Sequence, residues 1–118
     1  PAMSWVDAPA SGASVPPRFT VEGWAFKDGV GVASVEVLLN GRVAATADYG
    51  IARPDIAAYW QISTDPGHPD VAFRAEVDAS GLPPGRHWLG LRVHGRDGSV
   101  EDAREQPVVV EPGMGGGE

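Results

Sequence analysis

Cysteine is absent from the 118 residues, which excludes a disulfide framework, a thiolate metal site and a cysteine nucleophile together. Basic residues are scarce: nine Lys and Arg face sixteen Asp and Glu, giving a net charge of -7. Such a field repels phosphate backbones and anionic headgroups, so nucleic acid and a membrane surface are not expected partners. No apolar run approaches the ~18 residues of a membrane span, and no basic-then-apolar signal region opens the chain. An export signal, if the protein has one, is expected elsewhere.

Chemistry-bearing motifs are missing as well. There is no Gly-x-Ser-x-Gly elbow, phosphate loop or dinucleotide fingerprint. His68, His87 and His94 lack the i, i+4 pairing of a zinc helix. Asp28, Asp65, Asp70 and Asp97 are spread over separate turns without the Asp-x-Asp-x-Asp-Gly ladder of a calcium loop. Glu36, Glu76 and Asp78 read as solvated strand carboxylates rather than the facing pair that glycoside cleavage needs. The expectation is a non-catalytic chain with no metal and no cofactor.

What is present is glycine and proline, 16 and 11 residues, clustered between apolar runs as turn punctuation. With 42% hydrophobic and 21% charged residues, the chain has the composition of a globular domain, and its length suits one core. Pro1-Ala2-Met3 reads as a remnant of tag removal, residues 4–111 as one domain, and 112–118 as a glycine-rich linker.

The dominant period is two, which turns alternate side chains inward along a strand. Arg18 to Phe26 sets Phe19, Val21, Gly23 and Ala25 against Thr20, Glu22, Trp24 and Phe26. Val32 to Leu39 aligns Ala33, Val35, Val37 and Leu39. Asn40-Gly41 then supplies the two positive φ angles of a type I′ hairpin, returning through Val43, Ala45 and Ala47. Val71 to Val77 alternates again, and Ser80 to Gly85 turns the chain into Arg86 to His94, with Leu89, Leu91 and Val93 inward. Val108 to Val110 reads as a last strand and Ser4 to Ala8 as an N-terminal edge. About seven strands without long helices predict an all-β, antiparallel two-sheet sandwich. Residues 49–70 are too long for an ordinary connection, and Arg53 to Trp60 inside them reads as a helical turn.

The segments Gly23-Trp24-Ala25, Val35-Glu36-Val37 with Asn40-Gly41, Tyr49-Gly50 with Arg53-Pro54-Asp55, Leu82-Pro83-Pro84-Gly85-Arg86-His87 and Asp97-Gly98 together resemble bacterial immunoglobulin-like domains. That family is similar in architecture to fibronectin type III modules, and the pattern covers roughly residues 18–110. The resemblance implies an immunoglobulin-like sandwich and an extracytoplasmic accessory module of a larger envelope or secreted protein. It transfers a fold rather than an activity. The implied partners are neighbouring domains or another envelope protein, with polysaccharide as an alternative. A substrate-positioning role beside an enzyme is a third reading. The Cys-Trp-Cys spacing of antibody domains is missing, so Trp24 is not assigned that buried role.

Aromatic side chains are the main candidates for contact, because they stack on sugars and anchor interfaces. Alternation turns Trp24, and Trp88 with Arg92 and His94, away from the main core. Two outcomes follow. The favoured one is that residues 49–70 fold back and bury Trp24 or Trp88 beneath Tyr59 and Trp60 as a second small core, since large exposed apolar patches are rare. The other is an aromatic platform around Trp60 and Trp88, with Tyr59 at its rim and Arg92 or His94 as hydrogen-bonding groups. Arg53 and Asp55 are candidate contacts too, but are read first as groups that tie down the long loop.

Overall fold

A computed structural model describes residues 1–61 and 63–113. Among them nine strands form two sheets: β1 (Met3–Ala8), β2 (Ser14–Val15), β3 (Arg18–Phe26), β4 (Val32–Leu39), β5 (Arg42–Thr46), β6 (Asp48–Ile51), β7 (Ala72–Asp78), β8 (Gly85–Gly95) and β9 (Val100–Val110). One helical segment, α1 (Pro54–Tyr59), joins β6 to the loop before β7. The sheets have the orders β1-β3-β7-β6 and β2-β9-β8-β4-β5. The expected all-β, immunoglobulin-like sandwich is what forms.

The period-two pattern sets the core. Phe19, Val21 and Ala25 of β3, Phe73, Ala75 and Val77 of β7, Val35, Val37 and Leu39 of β4, and Leu89, Leu91 and Val93 of β8 meet between the sheets. Asn40 and Gly41 have φ of 53° and 80°, the conformation that the hairpin requires. Asn40 also accepts the Trp88 backbone N–H on Oδ1 at 2.9 Å, locking β4 to β8.

Four details differ from the sequence reading. A pairing shift between Val32 and Ser34 leaves Val32 buried and Ala33 exposed, so Ala33 does not join the inward row. Residues 48–51 are strand rather than loop, because Asp48, Tyr49 and Ile51 pair with β7. β2, too short to show alternation, pairs in parallel with β9, so the sandwich is not wholly antiparallel. The last strand begins at Val100, not Val108, although its first half carries charged residues, because β8 supplies a continuous partner.

The ends of the fold lie at opposite poles. Met3 pairs with Phe26 at the end of β3, and the Ala2 N–H donates to the Glu101 carboxylate at 3.0 Å. Residues 2 and 3 are thus engaged by the fold. At the other pole Val110 pairs with Gly85, and the Glu111 N–H donates to the Val15 carbonyl at 2.8 Å. Residues 114–118 of the expected linker lie outside the described residues.

Candidate functional site

The long segment folds back over the four-stranded sheet. Proline opens α1 at a position where its missing N–H costs nothing. A six-residue helix is too short to persist alone, so its tertiary anchors decide. Ile56 is buried with Trp24, Phe26 and Val71 in a second apolar cluster, against which Trp60 packs. Trp24 stacks on Phe26 with ring centroids 5.6 Å apart and planes inclined by 14°, and Trp60 lies 5.5 Å from Phe26. Arg53 binds Asp55 through Nε and Nη2, each at 2.8 Å, and reaches Asp7 of β1 through Nη1 at 2.8 Å. These hydrogen bonds hold the Arg53 guanidinium firmly protonated and draw the Asp55 carboxyl below its usual range.

The aromatic candidates therefore separate. Trp24 is only 9% exposed, beneath α1 rather than on a platform. Trp60 is half-buried, and Tyr59 projects from the helix end at 79% exposure. Trp88, 45% exposed, stands on the five-stranded sheet. Trp60 and Trp88 cannot form one surface, because they lie on opposite outer faces of the sandwich. Among the exposed apolar side chains that the sequence reading did not single out are Met3 and Trp5 of β1. Trp5 pairs across the strands with Trp24, but a short edge strand gives too little alternation to assign its face.

The loop beyond α1 contains an arrangement that invites comparison with a hydrolase. Ser63 Oγ donates to Asp28 Oδ1 at 2.6 Å, and His68 Nε2 lies 2.9 Å from the same Oγ. A serine nucleophile needs an imidazole that accepts its proton and a carboxylate that orients the far ring nitrogen. Here the carboxylate takes the serine proton itself, and His68 Nδ1 is buried with no hydrogen-bond partner among the described residues. The Ser63 hydrogen bond, then that of the Thr64 N–H, lowers the Asp28 pKa. Asp65 accepts the Lys27 and Gly67 N–H groups, each at 2.6 Å. The chemistry is that of a clasp fastening the loop to the turn after β3. No group of three or more His, Asp or Glu placed to hold a metal ion occurs among the described residues.

The outer face of the five-stranded sheet is more open. Successive outward positions of β8 are Trp88, Gly90, Arg92 and His94. Arg92 donates from Nε and Nη2 to the Asp102 carboxylate at 2.7 and 2.9 Å, a fork that raises the arginine pKa and lowers that of Asp102. His94 Nε2 lies 2.6 Å from Glu36 Oε1. Where Gly90 lacks a side chain, a shallow cavity of about 340 Å³ opens, lined by Leu38, Gly41, Gly90, Asp102, Ala103 and Glu105.

Residues 1–89 match the family described as bacterial Ig domain. The chain belongs to that family. This bacterial Ig domain is also similar to solved structures at identities that speak for fold alone. The fibronectin(III)-like modules of Clostridium thermocellum CbhA align with a TM-score of 0.56 at 18% identity, over 92% of this chain and 46% of that one. The endo-beta-1,4-mannanase from Thermotoga petrophila aligns with a TM-score of 0.61 at 12% identity, over 94% of this chain and 20% of that one. CopC from Methylosinus trichosporium OB3b gives a TM-score of 0.45 at 20% identity, over 93% of this chain and 95% of that one. The domain thus spans less than half the length of the first two chains. No curated protein sequence matches it.

Proposed function

We propose that this bacterial Ig domain is a non-catalytic accessory module that spaces and orients neighbouring domains of an extracytoplasmic protein. The observation that carries the reading is the position of its ends. The chain enters beside Phe26 and Glu101 and leaves beside Val15 and Gly85. Eight residue steps of β3 separate these levels, about 26 Å at ~3.3 Å per residue. A module threaded from pole to pole lengthens a chain by its own height, whereas adjacent ends would return the chain to its starting point.

Rigidity at the entrance supports the same role. The Glu101 carboxylate accepts both the Ala2 N–H and the Lys27 ammonium, the latter at 2.8 Å, so the first residues leave the fold in a defined direction. Similarity to modules within much longer chains agrees with this use, and family membership favours a place outside the cytoplasm. The exposed side chains Met3, Trp5 and Tyr59 lie on the four-stranded side and offer apolar contact to a neighbouring domain.

The test is to replace the module, in the protein that carries it, by a flexible Gly/Ser linker and to compare small-angle scattering profiles. The spacer reading expects the separation of the flanking domains to become shorter and more broadly distributed. An unchanged interdomain distribution would overturn it.

A further inference from the structure

The outermost strands of the two sheets are not equally protected. An open edge presents unpaired N–H and C=O groups that a further strand can use, and charge, proline, irregular pairing or shortness blunts it. β1 carries Asp7 and a pairing shift between Val6 and Ala8, and Pro9 follows it. β2 has two residues and runs into Pro16 and Pro17. β6 contains Asp48 and Gly50 and has a pairing shift of its own. β5 ends the five-stranded sheet and, after Arg42, reads Val43-Ala44-Ala45-Thr46, without charge or proline. Its one irregularity is the extra residue Ala44, and Val43 is 47% exposed. The Ala47 N–H donates to the Val35 carbonyl at 2.9 Å, so the alternation of an antiparallel ladder turns the Thr46 N–H and C=O away from β4.

Two unpaired charges identify what meets this edge. Arg42 and Asp48 lie three residues either side of Ala45, and both are exposed. Neither forms a hydrogen bond or ion pair among the described residues, whereas Arg18, Arg53, Arg74 and Arg92 each hold a carboxylate. A two-fold axis through Ala45 lays the β5 of a second copy alongside in antiparallel register. Thr46 then faces Ala44 of the second copy, small side chains that permit close approach. Arg42 faces Asp48 of the second copy, and symmetry makes that pair twice. An extended segment that is neutral or carries one sign of charge leaves Arg42 or Asp48 without an opposite. We propose that this chain pairs with a second copy of itself through β5, joining the two five-stranded sheets across a two-fold axis. The net charge of -7 opposes approach at long range but is screened over ~8 Å at physiological salt, so the local pairs decide contact. The edge runs along the side of the sandwich and leaves both poles open, so the pairing does not depend on how the module spaces its neighbours.

A strand this short buries less than the ~1,200 Å² of a standard interface, and the dimer is accordingly weak. The experiment is sedimentation velocity of the intact chain from about 10 μM to about 1 mM, in about 0.15 M salt. The expected result is a monomer–dimer equilibrium without larger species, because a two-fold contact consumes the edge it uses. Arg42→Asp should weaken association about tenfold or more, since both symmetric pairs turn from attractive to repulsive. Arg42→Asp combined with Asp48→Arg should restore it to within about threefold. Thr46→Pro, which removes an outward amide rather than a ladder hydrogen bond, should abolish it. Unfolding transitions recorded on dilute protein check that each variant keeps the fold. A chain that stays monomeric at every concentration, association indifferent to Arg42→Asp or Thr46→Pro, or a folded double variant that does not regain it would each overturn the assignment.

Discussion

Two buried strand glycines with the same chemistry are expected to respond oppositely to the same substitution. At Gly23 a methyl group would overlap the Trp5 carbonyl oxygen and come within 2.9 Å of the Phe73 ring. The first neighbour is backbone of the paired strand β1 and the second a fully buried core ring, so neither yields without moving a strand or repacking the core. Overpacking of a filled core costs about 1–3 kcal/mol, and displacement of β1 adds lost ladder hydrogen bonds at about 1 kcal/mol each. Gly23→Ala should therefore lose at least about 3 kcal/mol. At Gly90 the nearest atoms are 3.5 Å away or more, φ lies outside the left-handed region, and restricting the unfolded chain contributes about 0.4–1 kcal/mol of stability. Gly90→Ala should match or slightly exceed the wild type. Urea unfolding followed by tryptophan fluorescence measures both, with the m-value checking that the states compared are the same. A Gly23→Ala midpoint near that of the wild type, or a Gly90→Ala loss above about 2 kcal/mol, would falsify this account of where β1 and β8 are tight.

Ile56→Ala should cost about 2 kcal/mol, the lower end for removing a buried isoleucine side chain, because its cluster is small and partly open at Trp60; chemical denaturation with near-ultraviolet circular dichroism should show the Trp24–Phe26 signal altered first. Tyr49 donates to the Ala25 carbonyl at 2.7 Å, and burial pushes its phenol above the ordinary tyrosine range, so an absorbance titration should show a late phase that Tyr49→Phe removes, with about 1 kcal/mol of stability lost. Glu101, through the Lys27 ammonium and then the Ala2 N–H, and Asp28, through Ser63 and Thr64, have carboxyl pKa values lowered by folding. Groups depressed in the folded state contribute fully above the unfolded values of about 4 and lose that contribution as pH falls through the folded ones. Thermal midpoints should accordingly be flat from pH 7 to about 5 and fall below pH 4; a midpoint that rises on acidification would refute the sign.

Much of the sandwich was legible because alternation acts through neighbours that any strand must have. Phe19, Val21 and Ala25 could be placed inward without knowing what they meet, and Asn40-Gly41 carries its turn type in its own backbone preferences. The face of a single residue was less secure where a bulge intervenes: the shift at Val32 to Ser34 turns Ala33 outward although the local pattern places it inward. β6 was hidden because its pairing partner β7 lies more than twenty residues away, and Asp48 and Gly50 are poor strand formers. The second core was foreseeable in kind, since Trp24 and Phe26 needed a cover, but which segment provides it depends on Arg53 reaching Asp7 across the fold. For the aromatic candidates the sequence places Trp88 on a strand and Trp60 in the long segment, but not which sheet that strand joins or which sheet the segment covers. That is why Trp60 and Trp88 read as neighbours and fold onto opposite faces.

The absence of cysteine makes the most direct measurement simple. Cysteines introduced by Pro1→Cys and Pro112→Cys are the only labelling sites, and pulsed electron resonance of the doubly spin-labelled domain reads the distance between its poles. A module that carries its neighbours apart gives a narrow distribution centred at or beyond about 26 Å, set by the height of the β3 ladder. A distribution centred below about 20 Å would place both ends at one pole and contradict the spacer account.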